Sequence, residues 1–161
     1  MTQLFNNQNI QFYTILILCC MIMYLPFIGK YIRLLNTVIH EAAHAFVALI
    51  LRCKVDKINL FSNLEGCTYI YANKFKTTII ALMGYPMSAV AAFGIFALLK
   101  YNYANIYIIT LCFLLFIALI LYIRNAFGIV WIISFLALNI FLLYKGNIKI
   151  INFTHRIILR I

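Results

Sequence analysis

The sequence of 161 residues contains only three histidines and three acidic residues, yet His40-Glu41-Ala42-Ala43-His44 brings two of the former and one of the latter together. On a helix, positions i and i+4 share a face, so both imidazoles can reach a single metal ion. Glu41 stands about 100° round the helix from His40, close enough to act on a water at the metal without being a donor itself. Zinc lowers the pKa of such a water to about 7, and a neighbouring carboxylate then takes its proton and passes it on. These are the parts of a metallopeptidase, in which water attacks a carbonyl polarised by the same ion. Random placement of the chain's own His and Glu would produce the pattern roughly 5 times in 10,000. The spacing carries information.

The segment that bears the motif is otherwise apolar, and so is the chain. It is 66% hydrophobic and 10% charged, with mean hydropathy +1.04, against about 45–50% and 25% in soluble domains. A globule of this size could not bury so much apolar surface, and disorder needs the opposite composition. An integral membrane protein is implied, expected in the plasma membrane. A spanning helix needs about 20 apolar residues, and five stretches approach this: 12–28, 31–51, 77–99, 103–123 and 126–144. The first lacks the basic start and small-residue cleavage site of a signal peptide, so it is retained as a span. The second holds His40, Glu41 and His44. An ionisable side chain at mid-span costs about 2.5–3.5 kcal/mol. Neighbouring helices could satisfy such groups, but three within five positions call for a partner, and a metal supplies one. Ala42, Ala43, Ala45 and Ala48 permit close approach of another helix.

Residues 52–76 form the one sizeable polar connector. Val55 to Phe61 alternates in part, and Cys67-Thr68-Tyr69-Ile70-Tyr71 is β-branched and aromatic, which predicts two short strands around a turn at 63–66. An open sheet edge is not tolerated in lipid, so this hairpin belongs at the interface or against protein. Residues 145–161, with Lys149, Arg156 and Arg160 among isoleucines, suit an amphipathic segment on the membrane surface. No repeat or linker divides the chain, and residues 1–161 read as one domain. The fold expected is an α-helical integral membrane protein, with about five transmembrane helices and a short β-hairpin between the second and third.

The net charge of +10 is spread over the ends of these stretches, at Lys30, Arg33, Arg52, Lys54, Lys57, Lys74, Lys76, Lys100, Arg124 and Lys145. Such residues orient a chain and meet anionic headgroups. They form no single stripe, which speaks against nucleic acid. No glycine-rich phosphate loop exists, so nucleotide is not expected either. Basic residues divide almost evenly between the two possible orientations, and charge alone does not choose one. The five cysteines lack a paired motif and read as free thiols.

At these residues the sequence resembles the site-2 protease family of intramembrane zinc metallopeptidases, and in particular its short members. His40 to His44 resembles the family's zinc helix, and 55–71 its membrane-associated sheet, which in the family can pair with an extended substrate. Gly84-Tyr85-Pro86-Met87-Ser88 is similar to the Gly-Pro-containing helix beside the active site. Arg124-Asn125-Ala126-Phe127-Gly128 lies where the family has an Asp-Gly pair whose aspartate is the third zinc ligand. The resemblance implies Zn2+ held by His40 and His44, with Glu41 as general base. It also implies a single-span membrane protein as substrate, within the lipid bilayer, and an active site on the cytosolic side with the N-terminus inside.

This chain departs from the family at Asn125, since an amide oxygen is a poorer zinc donor than carboxylate or imidazole. Asn125 is the positional equivalent and the first choice as third donor, followed by Glu65. Asp56, His155, Tyr85 or a second water are the remaining alternatives. Two functions follow. One is a zinc endopeptidase. The other is an inactive relative that keeps the scaffold as a membrane interaction or transport component.

Overall fold

The computed structural model describes residues 7–101 and 103–145. Along the chain run α1 (Asn7–Tyr24), α2 (Ile28–Ile50), β1 (Lys54–Leu60), β2 (Gly66–Tyr71), α3 (Lys74–Lys100), α4 (Ala104–Leu121) and α5 (Ala126–Lys145). The strands fall between the second and third helices, as the polar connector predicts. The tail with Lys149, His155, Arg156 and Arg160 lies outside the described residues.

By length and composition the helices differ. Lys74–Leu98 of α3 and Ala126–Tyr144 of α5 are long and apolar enough to cross a membrane. α1 and α2 meet that test only together, and they are bent by 90° to one another. The apolar part of α4, Ile106–Leu121, reaches about 24 Å at 1.5 Å per residue, short of a hydrocarbon core of about 30 Å. The five expected crossings therefore narrow to two, or three if the bent pair is one span. The polar residues of α2 that make it chemically interesting are what dilute its apolarity. At the bend stands Pro26, and α2 follows with Gly29, where a Cβ would run into the Met23 carbonyl. Outward-facing Leu82, Phe93, Val130 and Ile140 are exposed, as lipid-facing side chains are.

α2 ends on a tight hydrogen-bonded cap. Cys53 N–H donates to the Ala48 carbonyl at 2.8 Å and Arg52 N–H to that of Leu49 at 3.0 Å. Arg52 adopts φ 54°, the left-handed cap position where glycine is usual. Lys76 Nζ, from the first turn of α3, donates to the Leu51 carbonyl at 2.8 Å and ties the two helix ends together. The chain then turns directly into β1.

β1 and β2 pair antiparallel, with Ile58 opposite Thr68 and Leu60 opposite Gly66. The register shifts between Val55 and Lys57, so Asp56 is the extra, exposed residue of a bulge. Ile58 and Leu60 face inward, 2% and 0% exposed. They join Leu34, Val38 and Ala45 of α2, Leu115 of α4, and Trp131, Ile132 and Phe135 of α5 in the main core. The hairpin is thus pinned between the motif-bearing helix and the α4–α5 end of the bundle.

Candidate metal centre

α2 presents both imidazoles on one face, as the i, i+4 spacing requires. Their Nε2 atoms stand 3.1 Å apart, with ring centroids 4.6 Å apart and the planes nearly perpendicular. Two nitrogens at about 2.0–2.1 Å from one tetrahedral ion would be separated by roughly 3.3 Å, so this pair fits a shared metal. His44 Nδ1 lies 2.8 Å from the Ile80 carbonyl. A carbonyl only accepts, so Nδ1 carries the proton and the lone pair of Nε2 is turned toward His40. Such an outer hydrogen bond fixes the tautomer and orientation of a ligating imidazole.

Glu41 completes the cluster: one donor atom each from His40, Glu41 and His44 lies within 4.8 Å of the others. At 7% exposure it is the one buried charged side chain among the described residues. A carboxylate in that position needs partners, and β2 supplies them. Thr68 Oγ1 is 2.7 Å from Glu41 Oε2 and 3.1 Å from its main-chain carbonyl. With one proton, the hydroxyl donates to one of these at a time. Gly66 lets the strand close on the carboxylate, since a Cβ there would sit 2.9 Å from Glu41 Cδ and Oε1.

α3 closes the other side. A Cβ on Gly84 would stand 2.6 Å from His44 Cε1 and 2.7 Å from His40 Nε2. The absence of a side chain is what lets α3 pass over the pair. Its neighbour Tyr85 packs its ring 4.6 Å from that of His40. Two separate elements, β2 and α3, therefore converge on five residues of α2.

Compared with known proteins, the chain matches the Peptidase M50B-like family over residues 13–159. It belongs to that family. The match covers most of the chain, as a site-2 protease domain would, and contains the whole cluster. No curated protein and no solved structure matches it. The apolar helices and this peptidase family together make the M50B-like chain an integral membrane protein, and His40, Glu41 and His44 are a group that can hold a metal.

The other residues singled out in the sequence of this M50B-like chain are placed as follows. Asn125 is at the N-terminal end of α5, and its amide binds the main chain of Leu60. Leu60 N–H donates to Asn125 Oδ1 at 3.1 Å, and Asn125 Nδ2 donates to the Leu60 carbonyl. Glu65, at the hairpin turn, and Asp56, on the bulge, are exposed, and neither belongs to the cluster. Arg124 caps α4, donating to the carbonyls of Ile120, Leu121 and Ile123. Ser88 donates to the Gly84 carbonyl, a local helix bond beside Pro86.

Sequence reasoning missed Thr68 and the Ile80 carbonyl. An inward residue on the second predicted strand was a weak signal for Thr68. A main-chain carbonyl leaves none.

Proposed function

We propose that this chain is a zinc metalloendopeptidase that hydrolyses peptide bonds of single-span membrane proteins within the bilayer of the plasma membrane. The observation that carries the reading is the facing Nε2 pair of His40 and His44, 3.1 Å apart, beside the buried carboxylate of Glu41. Membership of a peptidase family supports it. Zinc bound there would act as a Lewis acid on a substrate carbonyl and make water nucleophilic near neutral pH.

The chain's own residues do the rest. His40 and His44 hold the ion, and the Ile80 carbonyl keeps His44 from rotating. Glu41 serves as general base, accepting a proton at one carboxylate oxygen and delivering it to the leaving amine. Thr68 holds the other oxygen and fixes the direction in which the base points. Glu41 is buried under Gly66 while His40 and His44 are half-buried, so the carboxylate is screened from bulk water and its interactions are strengthened.

The engagement of Asn125 with Leu60 favours one competing reading, a metal-binding scaffold without catalysis. The purified full-length protein in detergent separates the two. Wild type should carry one zinc per chain and cleave a single-span reporter. Glu41→Gln should keep the zinc and lose cleavage by on the order of a thousandfold, whereas His40→Ala should lose the zinc. Absence of zinc from wild type would end the metallopeptidase reading. Stoichiometric zinc, with neither wild type nor Glu41→Gln cleaving above the metal-free control, would leave the scaffold.

A further inference from the structure

Asn125 occupies the position where the resemblance to site-2 proteases implies a third metal donor, yet its amide is committed on both sides. Oδ1 accepts from Leu60 N–H and Nδ2 donates to the Leu60 carbonyl. A main-chain N–H and C=O of one residue can be satisfied at once by an amide, which carries an acceptor and a donor side by side. A carboxylate has no donor when ionised and would set oxygen against oxygen. The Asn125 carbonyl accepts from Ile129 N–H at 3.1 Å, which makes Asn125 the N-cap of α5. An N-cap asparagine ordinarily turns its side-chain oxygen onto its own helix. Here that oxygen is diverted to β1.

The neighbouring residues extend the same contact. Ile58 N–H donates to the Tyr122 carbonyl at 2.8 Å, and Ile58 forms a parallel bridge with Ile123. Residues 122 and 123 thus join β1 through a single parallel bridge, and the Asn125 side chain continues the contact two residues further along β1, at Leu60. Gly128 leaves room for this, since a Cβ there would come 2.7 Å from Asn125 Oδ1.

The two β1 residues held in this way are the register partners of the two β2 residues that hold Glu41. Ile58 lies opposite Thr68, the hydrogen-bond donor to the carboxylate, and Leu60 lies opposite Gly66, which packs against it. We infer that Asn125 is a positioning residue: it clamps the hairpin to the α4–α5 turn, so that β2 holds Glu41 in place, and it gives no donor atom to the metal. The part of this inference that concerns catalysis rests on the proposed role of Glu41.

The test uses the full chain in detergent, with zinc as the probe. In Asn125→Ala, hydrogen exchange at the Leu60 amide should accelerate at least tenfold, while zinc affinity stays within about threefold of wild type. The rate per zinc-loaded chain should fall at least tenfold through kcat, with KM unchanged. Asn125→Asp should behave like Asn125→Ala and gain no zinc affinity. Cobalt-substituted Asn125→Ala should keep the visible absorption of cobalt-substituted wild type. A tenfold or greater loss of zinc affinity in Asn125→Ala, or a gain in Asn125→Asp, would overturn the inference and make residue 125 a donor. Unchanged Leu60 exchange would overturn the clamp. An unchanged rate per zinc-loaded chain would overturn the positioning role. If Asn125→Ala does not fold, Gly128→Ala, which displaces the amide without deleting it, carries the same three readouts. A wild-type chain without zinc would refute the metallopeptidase reading instead, and Leu60 exchange would still judge the clamp.

Discussion

One methyl group is enough to disturb the proposed metal site. Gly84 lies on α3 directly over the two imidazoles, and a Cβ there would have His40 and His44 atoms within 2.7 Å. No real side chain tolerates such contacts, so the rings or the helix must move. Elsewhere on the same helix, Gly94 has nothing within 4 Å of the corresponding position. Gly84→Ala should therefore lower zinc affinity at least tenfold, measured by competition with a chromophoric chelator. Gly94→Ala should leave it unchanged and raise the unfolding midpoint slightly, because alanine is the better helix former by about 0.5–1 kcal/mol. Equal zinc affinity in the two variants would show that α3 does not bear on the histidines. Composition does not separate these glycines, both small residues in an apolar run; only the resemblance of residues 84–88 to the Gly-Pro helix of site-2 proteases sets Gly84 apart. His40, Glu41 and His44 are legible because helical spacing alone brings them together. The contacts that Thr68, Ile80 and Gly84 make with the motif arise from tertiary packing; the strand pattern hints at Thr68 and the family resemblance at Gly84, and nothing points to the Ile80 carbonyl.

At the scale of elements, the chain departs from good local chemistry at the end of the motif-bearing helix. Arg52 occupies the left-handed cap position with φ 54°, a conformation that costs a side-chain-bearing residue roughly 1–2 kcal/mol. Glycine avoids that penalty but loses more backbone entropy on folding, about 0.5–1 kcal/mol. Arg52→Gly should stabilise the protein by on the order of 0.5–1 kcal/mol, read as a rise of a few degrees in the thermal midpoint. A fall would mean that the exposed arginine makes a contribution at the membrane surface larger than its backbone strain. The hairpin that follows was legible, since alternation and the turn residues at 63–66 specify it within one residue or two. The bend between α1 and α2 was not. Pro26 and Gly29 read equally well as the end of a span, and the right angle emerges only in the folded chain, where Gly29 packs against Met23.

The bend between α1 and α2 bears on how the molecule would sit in a bilayer. α2 has 23 residues and is about 34 Å long at 1.5 Å per residue, enough to cross a core of about 30 Å. Two of its mid-helix ionisable residues have partners within the protein, Glu41 in Thr68 and His44 in the Ile80 carbonyl, which lowers the cost of placing them there. α1 leaves it at 90°, neither a straight continuation nor an antiparallel return through the core. With α2 along the membrane normal, α1 lies in the plane of the opposite interface from the hairpin. In that arrangement α1 and the hairpin lie at opposite faces of the membrane, whereas five consecutive crossings would put the start of α1 and the hairpin on the same side. Basic residues do not favour either arrangement, so an experiment must. A chain with Cys19, Cys20, Cys53 and Cys112 replaced by alanine keeps Cys67 on β2 as a reporter of the hairpin, and a tag at the N-terminus reports the other end. In sealed vesicles, an impermeant maleimide and an added protease should reach Cys67 and the tag from opposite faces. Reaction of both from one face would mean that the bend opens in lipid and that α1 and α2 cross separately. The hairpin that holds Glu41 would then share its side of the membrane with the N-terminus, as the resemblance to site-2 proteases implies.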